Sequence, residues 1–387
     1  MKFFVNLLIY FYFLILPVDL VLGNIFGPLA LNSYILIALL SSFLSVKLIS
    51  GSFLVYKNIE KNKAILFFLS YILAFSLYNF YFFNLLRFDA FLTFFTVSLT
   101  SLVMIIVGVD IPYQKVLSCS RFGGYVFVGW SLFWLLTDNE GRMILSLGRE
   151  ADPNYLTTSL IFCLVAFIVP ERKKNRRILY RFIAILLVFL ASMAGSRGGM
   201  FALLGSILVY YFFYFNFINF SIRVFVLSCI FIAVFYIQSL YLTLDIAVFE
   251  RYSLNSIIDG GGSGRLGIWE AALTYFSQLS FSEIFFGVGP TNFPISQPSW
   301  HVAHNIYIQI LIEFGLFGLL LFLIFIFSQY RKLILRQDLF VLAVFSGFLL
   351  AGLSLDMLYT KIWFGVNLIL VSSNLSWRKL PPIEDGS

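Results

Sequence analysis

Two histidines are the residues of this sequence best suited to acid–base chemistry. Both of them, His301 and His304, lie in one long segment between apolar runs. The ordinary pKa of an imidazole is about 6.5, so His304 at the predicted start of an apolar helix suits general-base work at the boundary of water and lipid. The alternative is a histidine that caps the helix or bonds a loop carbonyl. His301 lies in the loop and is the less favoured base.

Two arginines stand among small residues that allow close approach by a bulky ligand. Arg197 interrupts a long apolar run within the stretch 195–199, and Arg265 follows Gly264 at the end of a glycine-rich stretch. A guanidinium offers a planar fork of donors that matches phosphate and carboxylate oxygens. These residues therefore point to an anionic ligand. The alternatives are snorkelling of Arg197 to the interface and pairing of loop arginines with nearby acids.

Three further polar residues extend this candidate site. Glu313 follows His304 by nine residues, which places it about 13 Å into the apolar run if the run is one helix. A carboxylate at that depth is costly and is expected to be functional or paired, holding an arginine or a proton. Asn305 is interpreted either as a helix N-cap or as a residue that orients His304. Backbone N–H groups near Gly264 either bind an anion or belong to a flexible linker.

The composition requires that most of the chain lies in a membrane. Of 387 residues, 60% are hydrophobic and 12% are charged, whereas soluble domains carry roughly 25% charged residues. The net charge of +7 comes from basic residues in short loops, which indicates orientation in a membrane rather than nucleic-acid binding. The sequence has no Walker A loop, dinucleotide fingerprint or metal-ligand motif. ATP-driven transport and metal-dependent hydrolysis therefore lack support.

About twelve apolar runs are long enough to cross a bilayer as helices. The first is interpreted as a retained span and not as a removed signal peptide. A break at 195–198 is predicted to separate spans seven and eight. The predicted spans are 3–22, 30–49, 64–84, 89–108, 121–137, 154–170, 180–195, 198–218, 221–240, 304–327, 339–356 and 361–376.

The distribution of lysine and arginine orients these spans. With both termini in the cytoplasm, the basic residues concentrate in the inside loops, as the positive-inside rule requires. Two outside loops are longer than a turn. The loop 138–153 carries Arg142 and Arg149, and the loop 241–303 carries Arg251 and Arg265. In the second loop, an apolar helical face predicts a short helix along the membrane surface, and the residues on that face are Trp269, Ala272, Leu273 and Phe276.

An ordered series of short motifs resembles one family. The motifs are Ser196-Arg197-Gly198-Gly199, Ser263-Gly264-Arg265 with Trp269, Gly287-Val288-Gly289-Pro290, Ala303-His304-Asn305 and Glu313-x-Gly315-x-x-Gly318. The series resembles the O-antigen polymerase and ligase superfamily (Wzy and WaaL types). Members of this superfamily are membrane glycosyltransferases that act on undecaprenyl-diphosphate-linked glycans.

The resemblance implies an all-α, GT-C-like polytopic protein in the bacterial inner membrane, with 1–387 as a single membrane domain. The loop 241–303, between helices nine and ten, would carry part of an active site that faces the periplasm. His304 would be the catalytic base, and Arg197 and Arg265 would hold the diphosphate leaving group. Neither a metal nor another cofactor is implied. The residues expected to contact substrate are Arg142, Arg149, Arg251, Asn305, Glu313, Gly264 and Trp269.

The resemblance also implies partners and a choice between two reactions. A polymerase joins one lipid-linked repeat unit to another, whereas a ligase transfers the glycan to lipid A–core. The unbroken run from His304 to Gly315 and the Phe- and Tyr-rich composition favour the polymerase. Its partners would be the lipid-linked donor and acceptor, membrane lipids and a chain-length regulator, with no nucleic acid. A polytopic transporter or flippase is a remote alternative, since no internal repeat is visible.

Overall fold

Helices form every regular element in the part of the chain that the computed structural model describes. That part comprises residues 2–17, 35–42, 45, 56–82, 88–107, 111–137, 153–171, 174–194, 196–214, 265–292 and 303–375. The helices are α1 (Lys2–Ile15), α2 (Tyr56–Lys61), α3 (Lys63–Phe82), α4 (Phe88–Val107), α5 (Tyr113–Thr137), α6 (Pro153–Ile168), α7 (Lys174–Met193), α8 (Arg197–Tyr214), α9 (Arg265–Ser277), α10 (Phe281–Phe286), α11 (Ile306–Arg336), α12 (Leu339–Ala351) and α13 (Lys361–Leu375). Residues 35–42 are also helical.

The all-α prediction is confirmed for these described residues. Three helices are long and apolar enough to cross a membrane, Lys63–Tyr81, Arg197–Tyr214 and Ile306–Arg336, and five shorter helices are also apolar. The predicted break between spans seven and eight is confirmed, because α7 ends at Met193 and α8 begins at Arg197. The predicted span 221–240 lies outside the described residues. The total of twelve spans remains a prediction.

Small residues let α8 lie close to α6 and α12. A side chain on Gly347 of α12 would come within 2.9 Å of Ser206 Cβ on α8 and 3.0 Å of Ile161 Cγ2 on α6. Close packing at glycine is the usual basis of helix association in membranes, where burial of apolar surface alone gives no advantage over lipid. The three helices therefore form a tight unit, and the N-termini of α6 and α8 lie side by side.

Contacts at the opposite end of the bundle agree with the alternation of spans. Arg121, near the start of α5, forms an ion pair of 3.2 Å with Glu171. Its Nε also donates to the carbonyl oxygen of Ala166 at the end of α6, at 2.9 Å. Lys332 near the end of α11 donates to the carbonyl oxygen of Lys61. All of these helix ends and loops were predicted to lie on the cytoplasmic side of the membrane. Segments predicted on the same side are therefore in contact with one another.

The predicted span 304–327 differs from the structure, because α11 is broken at Gly315. This residue has φ 69° and ψ −174°, which is not helical. Such backbone angles are essentially restricted to glycine. The break frees carbonyl groups that a continuous helix would use internally. Val288 N donates to Ile312 O and Gly289 N donates to Glu313 O, each at 3.0 Å.

The break at Gly315 thus joins two of the sequence motifs. The turn 287–290 packs directly against the stretch 312–315. Tyr71 of α3 supports the same junction, since its hydroxyl lies within hydrogen-bond distance of the carbonyl oxygens of Phe314 at 3.0 Å and Phe286 at 3.2 Å. The α9–α10 segment is therefore fastened to the membrane helices beside the first ten residues of α11.

Candidate active site

His304 lies just before the N-cap of α11, in a backbone conformation that is uncommon for a residue other than glycine. Its φ is 48°, in the left-handed region, where histidine, asparagine and aspartate are enriched among non-glycine residues. The side chain is half-buried. A residue in this region costs free energy and persists where its neighbours hold it in place. The contacts on both sides of His304 meet that requirement.

Asn305 fixes the chain after His304. Its Oδ1 accepts hydrogen bonds from the backbone N–H groups of Tyr307 at 3.0 Å and Ile308 at 3.2 Å, so Asn305 is the N-cap of α11. Its Nδ2 donates to the carbonyl oxygen of Leu353 at 3.3 Å. The N–H group of Ile306 donates to Gly352 O at 2.7 Å. The N-cap interpretation of Asn305 is confirmed, and its contact with substrate remains a prediction.

Helix α9 fixes the chain before His304. Trp269 Nε1 donates to the carbonyl oxygen of Ala303 at 3.1 Å. Arg265 is the first residue of α9, and residues four apart lie on one face of a helix. Arg265 therefore lies on the same face as Trp269, one turn away. A helix forms at the predicted place. Its buried positions are Ile268 and Ala272, whereas Leu273 of the predicted apolar face is exposed. Its location along the membrane surface stays a prediction.

The side chain of Arg265 reaches the N-terminus of α8. Ser196 caps α8, because its Oγ accepts from Gly199 N at 3.0 Å, and it also donates to Asn154 Oδ1 of α6 at 2.6 Å. The position of a Cβ atom on Gly198 would lie 3.3 Å from Arg265 Nη1 and 2.1 Å from Ser354 Oγ. Arg265 thus reaches a helix that begins with Arg197. An anion there would meet the guanidinium of Arg265 and the positive end of the α8 dipole.

The connector between α12 and α13 completes this arrangement. Its residues Gly352 and Leu353 bind the chain beside His304, and Ser354 lies against Gly198 and near Arg265. The contacts therefore run from His304 through the connector to the start of α8, then along α9 and back through Trp269. Arg265 takes part in these contacts, and Arg197 and His304 are each next in sequence to a residue that does. Their backbone positions come from elements far apart in the chain.

Glu313 is completely buried in the first part of α11. Its Oε1 accepts from Thr291 N at 2.8 Å and from Gln309 Nε2. Its Oε2 accepts from the hydroxyl of Tyr359. Burial and the neighbouring Glu313 carboxylate raise the pKa of Tyr359 well above its ordinary value, so this hydroxyl keeps its proton and remains a donor. The expected pairing of Glu313 is confirmed, and these three partners are neutral donors.

Several predicted substrate contacts lie outside the described residues. These are Arg142, Arg149, Arg251 and Gly264. His301, which is the less favoured candidate base, also lies outside the described residues. Among the residues that the structure describes, no cluster of histidine, cysteine, aspartate and glutamate could hold a metal ion.

Comparison with known protein families finds one match at this site. Residues 182–323 match the model of the family Wzy_C, described as O-antigen ligase. The match confirms the predicted family resemblance. It contains Arg197, Arg265 and His304, and it also covers the Gly315 break. No curated protein matches the chain.

Two parts of the site were not singled out in the sequence. Ser354 gave no signal, because a serine at the end of an apolar run is common and its partners are distant in the chain. Gln309 did carry a signal. It lies four residues before Glu313, so two amide or carboxyl side chains share one face of an apolar helix. Buried polar groups in such a helix need hydrogen-bond partners. Gln309 and Glu313 are partners of each other.

Replacing Gly198 with alanine should destabilise the junction between α8 and the α12–α13 connector. The new Cβ atom would lie 2.1 Å from Ser354 Oγ and 2.9 Å from Ser354 Cβ, and overpacking of this kind costs about 1–3 kcal/mol. Thermal unfolding of the purified protein in detergent measures the loss. Adding Ser354→Gly removes both clashing atoms and should restore most of the midpoint. Equal midpoints for Gly198→Ala and wild type would contradict this close contact.

Proposed function

We propose that this protein is a membrane glycosyltransferase that polymerises lipid-linked repeat units of a surface polysaccharide. The donor would be an undecaprenyl-diphosphate-linked glycan and the acceptor a sugar hydroxyl on a second lipid-linked unit. The observation that carries the proposal is the ring of contacts among the chain segments that contain Arg197, Arg265 and His304. The family match over the same residues supports this class of reaction.

In the proposed reaction, His304 accepts the proton of the acceptor hydroxyl. The acceptor oxygen forms a bond to the anomeric carbon of the donor, and the bond from that carbon to the phosphate oxygen breaks. The electron pair leaves with undecaprenyl diphosphate. Arg197 and Arg265 stabilise the charge that develops on this leaving group, as preorganised donors do in a site shielded from water. The positive charge of the arginines stabilises the negative charge of the diphosphate, as a divalent cation does in other reactions of phosphates.

Substrate contacts beyond these three residues belong to the same proposal. A polymerase binds two lipid diphosphates, and the arginines predicted in outside loops, Arg142, Arg149 and Arg251, would bind the second one. Gly264, Trp269 and Asn305 would border the donor. The site would face the periplasm from the inner membrane, with both termini in the cytoplasm and a chain-length regulator as a partner.

A ligase is the second candidate, and the description of the matching family favours it. The acceptor would then be lipid A–core in place of a second lipid-linked unit. The same base and the same arginines would serve, because the leaving group is unchanged. The two reactions differ in the number of lipid diphosphates that bind, and therefore in the role of the outer arginines.

A gel of surface polysaccharide from a strain that lacks the gene decides between the two reactions. For a polymerase, deletion should reduce the ladder to a single-repeat band, and the wild-type gene should restore the ladder. Arg142→Ala should shorten the chains, because the second diphosphate would bind weakly. Long chains that accumulate on the lipid carrier, with none on lipid A, would indicate a ligase. Normal chain length with Arg142→Ala would count against Arg142 as a binding residue.

A further inference from the structure

The first part of α11 contains a buried hydrogen-bond network that reaches the backbone beside His304. Gln309 is completely buried, and its Oε1 accepts from the N–H group of Ala303 at 2.8 Å. Its Nε2 donates to Glu313 Oε1. One glutamine therefore connects the residue before His304 to a carboxylate one helical turn further into the bundle.

Glu313 passes the connection on to two other segments. Its carboxylate accepts from Thr291 N at 2.8 Å and from the Tyr359 hydroxyl. Thr291 N also lies 3.0 Å from Tyr359 Oη. The end of the 287–291 turn, the α12–α13 connector and the chain before His304 are thus held by two side chains on one helix.

Two residues in this network have strained backbone angles. His304 has φ 48° and Thr291 has φ 62°. Positive φ is a genuine outlier for a β-branched residue such as threonine. Strained residues persist where surrounding contacts over-determine them, and they cluster at functional sites. Glu313 bonds the N–H group of Thr291 directly, and it supports Gln309, which holds the N–H group of Ala303 next to His304.

We propose that Gln309 and Glu313 are positioning residues for His304, and that Glu313 acts through the protein rather than by contacting substrate. Both Glu313 oxygens accept from protein donors, and the side chain is completely buried. Gln309 and Trp269 hold opposite backbone groups of Ala303, the N–H and the carbonyl. These two bonds fix the peptide planes that aim the imidazole of His304.

Gln309→Met tests this, because methionine has a similar length and can neither accept from Ala303 nor donate to Glu313. The matched control is Gln329→Met, a completely buried glutamine on the same helix and about 30 Å further along it. The full-length protein has two histidines, so His301→Asn leaves His304 as the only histidine for isotope labelling. The first readout is the NMR signal of that labelled imidazole as pH is varied.

We expect one sharp imidazole signal in the His301→Asn reference protein and in the same protein with Gln329→Met. With Gln309→Met, the signal should be split or broadened and its titration midpoint should shift. Glu313→Leu should give the same change, whereas Glu313→Gln keeps an acceptor for Thr291 and Gln309 and should be milder. An unchanged signal in both Gln309→Met and Glu313→Leu would overturn the proposal. Because this readout needs no substrate, it decides the positioning role even if the proposed glycosyltransferase function fails.

The second readout rests on the proposed function and measures transfer between lipid-diphosphate-linked glycans. Loss of positioning should lower kcat by about a hundredfold, which is the effect of a misplaced catalytic group. KM should stay within about threefold, since the arginines that bind the donor are untouched. Wild-type kcat in Gln309→Met would overturn the proposal. An inactive wild-type protein with the expected NMR changes would instead count against the proposed function alone.

Discussion

His304→Asn should abolish polysaccharide synthesis while leaving the protein folded. Asparagine is tolerated in the left-handed region that His304 occupies, at φ 48°, so the substitution adds little backbone strain. It removes the imidazole, which is the base in the proposed reaction. General-base catalysis contributes about 10²–10⁴ in rate, so the ladder on a gel should disappear. Membrane abundance, measured by immunoblot, should match that of wild type.

A comparison with His304→Ala separates the effect of losing the imidazole base from the effect of backbone strain. Alanine also lacks the imidazole but disfavours positive φ, so this variant should lose activity and also some stability. His301→Ala is the control for removal of a histidine from the same segment, and the ladder should persist. A normal ladder from His304→Asn would eliminate His304 as the base, whether the protein is a polymerase or a ligase. Loss of the ladder in His301→Ala would move the base to His301.

The lengths of the apolar runs predicted most of the helices, because the thickness of the bilayer fixes how many apolar residues a spanning helix needs. The predicted spans 64–84 and 89–108 correspond to α3 (Lys63–Phe82) and α4 (Phe88–Val107) within two residues at each end. The break at Arg197 was also predictable. A charged residue among glycines inside an apolar run is unfavourable in the middle of a span and acceptable at its end.

The break at Gly315 was not predictable from the same kind of pattern. A single glycine in an apolar run is tolerated in a straight helix, and the nearby Glu313 is equally compatible with a paired carboxylate inside an unbroken helix. The break is explained by the turn 287–290, whose backbone N–H groups donate hydrogen bonds to the carbonyl oxygens of Ile312 and Glu313. Contacts between segments so distant in sequence leave no local periodicity.

The site was predicted as a set of residue types but not as an arrangement. The motifs named Arg197, Arg265 and His304, and the structure brings the chain segments that contain them into contact through Trp269 and the α12–α13 connector. The depth of Glu313 correctly indicated a paired carboxylate. Its partners could not be inferred, because Thr291 and Tyr359 belong to connectors whose positions depend on the whole bundle.

Gly315→Ala should strongly reduce the amount of folded protein. Alanine cannot easily adopt φ 69° with ψ −174°, and a conformation of this kind costs about 1–3 kcal/mol. The new Cβ atom would also lie 2.3 Å from Phe285 O and 2.6 Å from Gly287 N. These are backbone atoms that cannot rotate away. Together the two effects remove a large part of a typical stability of about 5–15 kcal/mol.

The measurements are membrane abundance and the thermal unfolding midpoint in detergent, and both should fall. Destabilisation of even 1–2 kcal/mol changes cellular abundance several-fold. Gly267→Ala is the matched control, because a Cβ atom there would meet nothing within 4 Å and Gly267 lies inside α9. That change should leave stability equal or raise it by about 0.5–1 kcal/mol. Equal abundance and midpoint for Gly315→Ala and Gly267→Ala would contradict the break in α11.

Gly315→Ala should also inactivate the protein that does fold. Alanine favours continuation of the helix through residue 315, and a continuous α11 would take back the carbonyls of Ile312 and Glu313 from Val288 and Gly289. The 287–291 turn would then move away, and the bond from Thr291 N to Glu313 would be lost. Transfer per folded molecule should therefore fall below that of Gly267→Ala. Full activity per folded molecule would mean that this turn does not position the site.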